Sequence, residues 1–282
     1  FILYVDDACI ISHSKHAITN EISSLQRDFD LTNDGELQDY LGTRSDRSPD
    51  GSVTLTQPRM VDRVLEIVGL LSGSHVKLHD TPATAILNST STPRLQKWNY
   101  RSAVSCLSYH NAMVRPDITF AVQQCARFCN NPGQEHEEAV KRICRYLMKT
   151  RSQGLVLKPD KTKGLECYVD ADYAGSWTKL SSHDPLSTHS RTGFYITYAG
   201  CPILWKSKVQ SLIALSTTEA EYIALSTALR EVIAIIRLLE DLKSQGFPIH
   251  GSTPVIKCKT FEDNMSCISL ATSHKTRPRT KH

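Results

Sequence analysis

Apolar residues open this chain on both sides of an acidic pair, in the stretch FILYVDDACIIS. The runs before Asp6 and after Asp7 are short and apolar, a pattern typical of two buried strands joined by a tight turn. Because buried strands rarely open a domain abruptly, we expect part of this fold to lie upstream of Phe1.

Strand and helix patterns then alternate through the N-terminal part of the chain. Apolar residues at helical spacing predict helices over 18–29 and 61–71, and the alternation around Val53 and Leu55 predicts a strand between them. The stretch 71–93 is rich in Ser, Thr, His and Pro and has no sustained period. This composition predicts a linker or an extended surface crossing.

Three helices are predicted next, over 98–111, from Pro116 onward and over 134–149. The third helix has apolar residues on one side, and its basic residues lie largely elsewhere: Lys141, Arg142, Arg145 and Lys149. A solvated surface is the simplest interpretation of that basic face, and a contact with nucleic acid is the alternative.

From Leu165 the predicted order is strand, strand, strand, helix, strand, helix. The second and third strands lie in RTGFYITYAG and CPILWKSK and form a hairpin around Ala199 and Gly200. One long helix is predicted over 216–242. The polar stretch 176–192 has the composition of an inserted surface loop.

The long helix carries an acid where an apolar residue belongs. Ser216 and Glu219 form an S-x-x-E capping box that sets its start. Four residues before the apolar stripe lies Glu221, and the stripe comprises Leu225, Leu229, Val232, Ile236 and Leu239. A buried carboxylate needs a partner or a metal ion. Half-solvated placement in the first turn, where the helix dipole favours acids, is the alternative.

Three further acids follow apolar runs in the same part of the chain. Asp170 and Asp172 lie two residues apart on one face of a strand, and Asp263 ends the stretch VIKCKTFED. Singly, such acids are most often caps or strand ends. Together with Glu221 they predict carboxylates converging from three elements, which is how proteins hold two divalent cations about 4 Å apart for phosphodiester cleavage. Oxygen ligands favour Mg²⁺ or Mn²⁺ over zinc.

Composition narrows the class of protein. The chain has 40% hydrophobic and 22% charged residues, as globular proteins do, and its formal net charge of +4 permits a nucleic-acid partner. Nine cysteines lie singly with no C-x-x-C pair, which predicts reduced core residues of an intracellular protein. No apolar stretch reaches the length of a membrane span and no signal peptide precedes the first strand, so no membrane partner is predicted.

Five sequence blocks of the second half occur in an order that resembles the ribonuclease H domain of copia-type long-terminal-repeat retrotransposon polyproteins. They are YVDADYAG, RTGFYITYAG, WKSKVQSLIALSTTEAEYIALSTALRE, EDNMSCISLA and RTKH. Upstream blocks resemble the reverse transcriptase of the same polyprotein: LYVDDACIIS, GELQDYLG, YRSAVSCLSY, RPDITFAV and HEEAVKRICRYLMKT. The resemblance therefore covers nearly the whole chain.

The resemblance implies an α+β or α/β chain in three parts. Residues 1–92 would be the C-terminal part of the reverse-transcriptase palm and the start of the thumb, and 93–160 a helical thumb or connection region. Residues 161–282 would form a ribonuclease H-like mixed five-stranded sheet with helices, truncated at its C-terminal end. The parent activity would be RNA-directed DNA synthesis and two-metal hydrolysis of RNA in RNA–DNA hybrids.

The same resemblance implies roles for two acids in the first hairpin. Asp6 and Asp7 match palm aspartates that join a third aspartate, expected before Phe1, to hold the polymerase metals. Polymerase activity is therefore not expected from this chain alone.

Nuclease roles are implied for Asp170, Glu221 and Asp263, with Mg²⁺ or Mn²⁺ as the cofactor. The family pattern selects Asp170 over Asp172 because a small residue follows it. A fourth acid would follow RTKH in relatives, so metal affinity and turnover of this chain are open to test.

Basic residues would contact nucleic acid in this family. The thumb-like helix would use Lys141, Arg142, Arg145 and Lys149, and the nuclease site would be flanked by Lys206, Lys208, Lys275, Arg277 and Arg279. A disordered basic tail is the alternative for the last three. Expected partners are template–primer, RNA–DNA hybrid and the rest of the Pol polyprotein, in a cytoplasmic virus-like particle with the nucleus as a second compartment.

Two other hypotheses stay open from sequence. The chain could be a catalytically inactive retroelement relic that at most binds nucleic acid or a protein partner. It could also be an unrelated α/β binding module with fortuitous motifs, which an ordered set of motifs disfavours.

Overall fold

The structure is a computed structural model that describes residues 2–12, 14–71, 77–83, 86–89, 91–182, 184–250 and 255–273. The helices are α1 (Lys15–Asp28), α2 (Pro58–Ile67), α3 (Tyr100–Val114), α4 (Thr119–Ala126), α5 (Gln134–Lys149), α6 (Thr217–Ser244) and α7 (Met265–Thr272). The strands are β1 (Ile2–Tyr4), β2 (Asp7–Cys9), β3 (Asp39–Tyr40), β4 (Thr43–Arg47), β5 (Val53–Thr56), β6 (Leu155–Leu157), β7 (Leu165–Asp172), β8 (Arg191–Tyr198), β9 (Cys201–Val209) and β10 (Cys258–Phe261). From β7 onward the predicted order of elements is confirmed, and the described chain is a mixed α+β protein.

The first hairpin forms as predicted but is not buried. β1 pairs antiparallel with β2 through Ile2 opposite Cys9 and Tyr4 opposite Asp7. Its apolar side chains face solvent, and Leu3 is 74% exposed. The prediction of buried strands is therefore wrong here, because the two strands pair only with each other among the described residues and a two-stranded sheet offers no second layer.

A second, antiparallel sheet has the strand order β3, β4, β5, β6. Leu41 and Gly42 make the tight β3–β4 turn with φ of 52° and 72°, the left-handed conformation that two-residue hairpin turns require. β6 comes from beyond the helices and pairs with β5, with Leu155 opposite Leu55. The sequence pattern does not predict β6, because so short a strand is set by its distant partner.

Helices α2 to α5 enclose one hydrophobic core. α5 has the predicted bounds, and α3 begins after Asn99, whose side chain accepts a hydrogen bond from the backbone of Ser102. The fully buried side chains of this core include Val61, Val64, Leu65, Leu107, Val122, Ile143 and Leu147. Burial of these apolar stripes is what holds the four helices together.

A buried ion pair fixes the connection between α3 and α4. Arg115, only 2% exposed, donates to both carboxylate oxygens of Asp117 at 2.9 and 2.7 Å and to the carbonyl and hydroxyl oxygens of Thr150 at 3.2 and 2.7 Å. The hydroxyl of Tyr146 donates to Asp117 at 2.7 Å. Residues 115–118, the RPDI motif, therefore connect this turn to the end of α5 through these hydrogen bonds.

The third sheet has the strand order β10, β7, β8, β9. β10 runs parallel to β7, and the other neighbours are antiparallel. The β8–β9 hairpin turns at Ala199 and Gly200, as predicted, with φ of 52° and 73°. Five strands were expected in this sheet and the described residues form four, because the chain after β10 enters α7 and adds no strand through Ser273.

The long helix α6 packs along this sheet. Its predicted stripe is confirmed, with Leu225, Val232 and Leu239 buried and Leu229 and Ile236 partly buried against the same core. Alanines on the same face are also buried, namely Ala220, Ala224 and Ala228. Their small side chains bring the helix axis close to the strands, so that polar atoms near its start lie against the sheet.

The predicted cap of α6 forms with one difference. The Ser216 hydroxyl accepts a hydrogen bond from the backbone N–H of Glu219 at 3.2 Å. Glu219 reaches back to the N–H of Leu215 at 2.8 Å, one residue earlier than a standard capping box predicts. Glu219 is therefore engaged in capping and is separate from Glu221.

The helical core and the third sheet contact each other. The indole N–H of Trp205 on β9 donates to the carbonyl oxygen of Asn111 on α3 at 3.1 Å. The guanidinium of Arg191 on β8 lies 5.1 Å from the ring centre of Phe120 on α4. The first contact places α3 against the sheet and the second places α4 there, and Phe120 of α4 lines the same pocket as Asp170.

All nine cysteines are free thiols, as predicted, and six of them are buried. Among the described residues, no helix combines the length and the apolar character that crossing a membrane requires.

Candidate metal centre

Three carboxylates meet at one end of the third sheet. Asp170 lies near the end of β7, Glu221 lies in the first turns of α6, and Asp263 follows β10 directly. One carboxylate oxygen of each lies within 4.8 Å of those of the other two. Among the described residues, this is the one group of three or more potential metal ligands at such spacing.

Strand register brings two of these acids side by side. Phe261 of β10 pairs in parallel with Tyr168 of β7, so two residues further along each strand Asp263 and Asp170 come abreast. The neighbour of Asp170 on β8 is Gly193, which carries no side chain to cover the Asp170 carboxylate. Glu221 approaches from α6, whose buried alanines permit the close contact.

The three acids occupy unequal environments. Glu221 is 7% exposed, whereas Asp170 and Asp263 are exposed. Burial, followed by the neighbouring carboxylates of Glu262, Asp170 and Asp263, raises the pKa of Glu221 to about 7, while a backbone hydrogen bond from Ala171 opposes the shift. Its Oε2 atom is buried and has no hydrogen-bond donor among the described residues.

Glu262 is a fourth acid at this site that the sequence analysis does not identify. Its pKa is raised, chiefly by burial and then by Asp263 and Asp170, although the N–H of Asn264 donates to its Oε1 at 3.1 Å. Its Oε2 has no partner within the described chain. The sequence signal was the adjacent pair Glu262 and Asp263, since alternation along an extended strand turns one toward the helix and the other away.

These observations fit a divalent cation. Several carboxylates share one corner, repel one another, and include buried oxygens without a donor, which is the arrangement that a bound cation would neutralise. All of the available donors are carboxylate oxygens, which suit Mg²⁺ or Mn²⁺. Asp172 lies outside the group and packs over Gly175, where a Cβ atom would overlap its carboxylate.

An aromatic row crosses the sheet next to the acids. Cross-strand pairing aligns Phe261, Tyr168, Tyr195 and Trp205 on four successive strands. The rings of Tyr168 and Phe261 stack at 4.5 Å, and those of Tyr168 and Tyr195 lie 6.5 Å apart. These ring contacts stabilise the pairing of the four strands two residues before Asp170 on β7 and two residues before Asp263 after β10.

The polymerase-motif acids stand apart from this centre. Asp6 and Asp7 are exposed on the β1–β2 hairpin, and no third acid of the described chain joins them in a potential metal group. The structure therefore does not bring the two predicted sets of acids together.

The basic residues of α5 are bound to the preceding chain segment. Lys141 donates to Gln96 at 2.6 Å, Arg142 donates to Thr81 at 2.8 Å, and Lys149 pairs with Asp80. The simplest interpretation, a solvated face, is therefore wrong for Lys141, Arg142 and Arg145, which are partly buried. The described residues Asp80, Thr81 and Gln96 of the preceding segment therefore lie against this face.

Two basic residues of β9 lie on the nuclease-like half. Lys206 donates to Glu231 of α6 at 2.8 Å, and Lys208 is exposed beside Arg230 in a groove of about 390 Å³. Lys275, Arg277 and Arg279 lie outside the described residues.

The fold and the acidic cluster define an α+β protein with a candidate divalent-cation centre. Over its whole length, the chain is 34% identical to the retrovirus-related Pol polyprotein from transposon TNT 1-94 of Nicotiana tabacum, of which it covers 20%. It is likewise 33% identical over its whole length to the retrovirus-related Pol polyprotein from transposon RE1 of Arabidopsis thaliana, of which it covers 18%. A 134-residue match at 38% identity covers 48% of this chain and 89% of the secreted RxLR effector protein 161 of Plasmopara viticola. No family model matches the chain.

The chain belongs to the copia-type retrotransposon Pol polyproteins, and it spans about a fifth of the length of the curated relatives that match it throughout. The family predicted from the ordered motifs is thereby confirmed.

Proposed function

We propose that the unit from β7 to α7 is a ribonuclease H-like nuclease that hydrolyses the RNA strand of RNA–DNA hybrids. The observation that carries this proposal is the meeting of Asp170, Glu221 and Asp263 within 4.8 Å. Membership of the Pol polyproteins supports it, since relatives of this kind are retrotransposon products. The order of elements from β7 to α7 is the one that the apolar pattern of the sequence predicts.

Asp170, Glu221 and Asp263 would hold the divalent cations, Mg²⁺ or Mn²⁺. When bound, such cations supply an activated water and stabilise the charge of the leaving oxygen in phosphodiester cleavage. Glu262 lies close enough to alter the charge of the site and would tune its affinity rather than complete the set.

The chain's own contribution is rigid placement of the carboxylates. Asp170 sits on a strand paired on both sides, and Glu221 is held by the buried alanines of α6. Asn264 caps α7 by accepting a hydrogen bond from Cys267 at 2.9 Å, which fixes the chain just after Asp263. Side chains on regular elements hold a site more precisely than side chains on loops do.

The hybrid would contact the protein through phosphate and ribose groups. Lys208 and Arg230 line one groove between β9 and the first half of α6 and would supply phosphate contacts whose strength falls with salt. Contacts to the 2′-hydroxyl would distinguish RNA from DNA. The exposed hairpin with Asp6 and Asp7 would be the palm hairpin of the polymerase part, for which the rest of the polyprotein would supply the remaining site.

Cleavage of a labelled RNA–DNA hybrid tests this function. The chain, purified from cells that lack their own ribonuclease H, is incubated with the hybrid in Mg²⁺ and in Mn²⁺. We expect cleavage of the RNA strand that Asp263→Asn lowers by about 100-fold or more, because it removes one ligand charge.

Asp172→Asn is the matched control, since Asp172 lies on the same strand as Asp170 but outside the acidic group, and it should retain cleavage. A DNA duplex of the same sequence should stay intact. Equal cleavage by the chain and Asp263→Asn, or no cleavage by the chain in either metal, would reject the proposal and favour an inactive relic.

A further inference from the structure

A cavity outside the acidic centre lies between α4, α5 and the segment that crosses them. Its volume is about 530 Å³, which is within the range of small-molecule sites. Ile86, Leu87 and Ile143 form part of an apolar wall, and Gln124, Arg142 and Arg145 add polar groups. Neither the acidic centre nor the family assignment uses this cavity.

Gln124 presents an unused donor to this space. The residue is 2% exposed, and its Oε1 accepts a hydrogen bond from Arg127 at 3.1 Å. That bond assigns the amide orientation and leaves Nε2 without an acceptor in the described parts of the chain. A buried amide donor without a partner is unfavourable, so a ligand acceptor at this position would be favoured.

Two guanidinium groups line the same cavity. The Nε atoms of Arg142 and Arg145 are both buried and lack acceptors among the residues described. Arg142 is held in place by its hydrogen bond to Thr81 at 2.8 Å. Positive charge is concentrated here: the pKa of His79 is lowered, first by burial and then by Arg142 and Arg145.

Two acids limit what the cavity can accept. Glu135 and Glu138 also line it, but both are exposed, and Glu138 accepts a hydrogen bond from Gln134 at 3.1 Å. A polyanion such as nucleic acid would be repelled by these acids. A ligand with one anionic head could reach the inner donors and place an apolar body against the wall.

We propose that this cavity binds a small organic carboxylate with an apolar body, whose oxygens accept hydrogen bonds from Gln124, Arg142 and Arg145. A carboxylate offers acceptors only, which matches three donors that have no other acceptor. The site is separate from the proposed nuclease, so the fate of either proposal leaves the other unaffected.

Calorimetric titration of the whole chain with four probes tests the site. Sodium octanoate has both the anionic head and the apolar body, whereas octanol lacks the charge, acetate lacks the body and inorganic phosphate lacks the body but carries more charge. We expect saturable binding of octanoate at millimolar concentration or below and much weaker binding of the other three.

Two variants locate the bound ligand. Gln124→Leu keeps the volume and removes the donor, and Arg145→Met removes a guanidinium that is only partly buried; each should weaken octanoate binding by about 10-fold or more. Arg237→Met on the exposed face of α6 is the control and should change nothing. Circular dichroism checks that each variant is folded. If Gln124→Leu does not fold, Arg145→Met alone tests the site.

Three results would overturn the proposal. They are absence of saturable octanoate binding, equal binding of octanol and octanoate, and octanoate affinity that neither Gln124→Leu nor Arg145→Met changes. Tighter binding of inorganic phosphate than of octanoate would also reject a carboxylate ligand.

Discussion

The carboxylates of Asp170 and Glu221 lie within 4.8 Å of each other, although one belongs to a strand and the other to a helix that begins only after two further strands. Like charges at this distance disfavour ionisation of the buried partner. Burial of Glu221, and after it the charges of Glu262, Asp170 and Asp263, raise its pKa to about 7. Ionisation of Glu221 therefore destabilises the folded chain when no cation is bound.

Removal of the Glu221 charge should stabilise the chain when no metal is present. The pKa of Glu221 in the folded chain is about 7, above the ordinary 4.5. As pH rises, the carboxyl therefore loses its proton at a lower pH in the unfolded chain than in the folded chain. Stability should therefore fall as pH rises from about 4.5 to about 7 and stay low above that range. Urea unfolding in EDTA should show Glu221→Gln more stable than the unsubstituted chain at pH 8, by roughly 1–3 kcal/mol, and equally stable near pH 4.

Glu240→Gln serves as the control for that comparison, because Glu240 is exposed on the same helix. If Glu221→Gln raises stability at pH 8 no more than Glu240→Gln does, Glu221 carries no such cost.

The Arg115–Asp117 pair should contribute strongly to the free energy of unfolding of the helical core. Asp117→Asn would leave the buried Arg115 guanidinium without its counter-charge, at a cost of about 3–5 kcal/mol. Asp62→Asn removes the partner of Arg151 in a more exposed pair and should cost about 1 kcal/mol or less. Chemical denaturation of both variants checks the difference, and similar losses would contradict the central role of the RPDI motif.

Low pH should destabilise the helical core because it protonates the buried His110. This residue is 3% exposed; its Nδ1–H donates to Gln57 at 3.1 Å, and its Nε2 has no partner in the described structure. Burial, followed by the charge of Arg115, lowers its pKa to about 4. Because the folded pKa lies below the ordinary 6.5, the neutral ring contributes stability above about pH 6.5, and that contribution is lost as pH falls toward 4.

The loss should reach up to about 3 kcal/mol at pH 4. His110→Gln should flatten the pH dependence of unfolding between pH 6.5 and 4, whereas His16→Gln, at an exposed position of α1, should leave it unchanged. A His110→Gln variant with the same slope as the unsubstituted chain would reject this explanation.

Most helices and long strands could be predicted from the sequence because their signals are local. α5 and α6 follow from apolar spacing and caps, and the stripe of α6 located Glu221 on its buried face. β6 could not be predicted, because its place depends on β5 far earlier in the chain. The exposure of Leu3 was missed because an apolar run does not reveal whether a second layer covers it.

The three acids of the metal centre were predictable from the sequence, but the influence of Glu262 on their charge was not. Asp170, Glu221 and Asp263 each follow a recognisable apolar pattern, so their convergence could be inferred. Glu262 escaped notice because its effect depends on distance and burial in the folded protein. The basic face of α5 was misjudged for a similar reason, since an unpatterned segment that lies across Lys141 and Arg142 leaves no periodic signal.

Mn²⁺ binding, followed by electron paramagnetic resonance, tests whether Asp170, Glu221 and Asp263 form one divalent-cation centre. We expect saturable Mn²⁺ binding that Asp170→Asn weakens by about 10-fold or more and that Asp172→Asn leaves unchanged, because Asp170 belongs to the acidic group and Asp172 does not. No Mn²⁺ binding by the unsubstituted chain, or equal effects of the two substitutions, would contradict the claim.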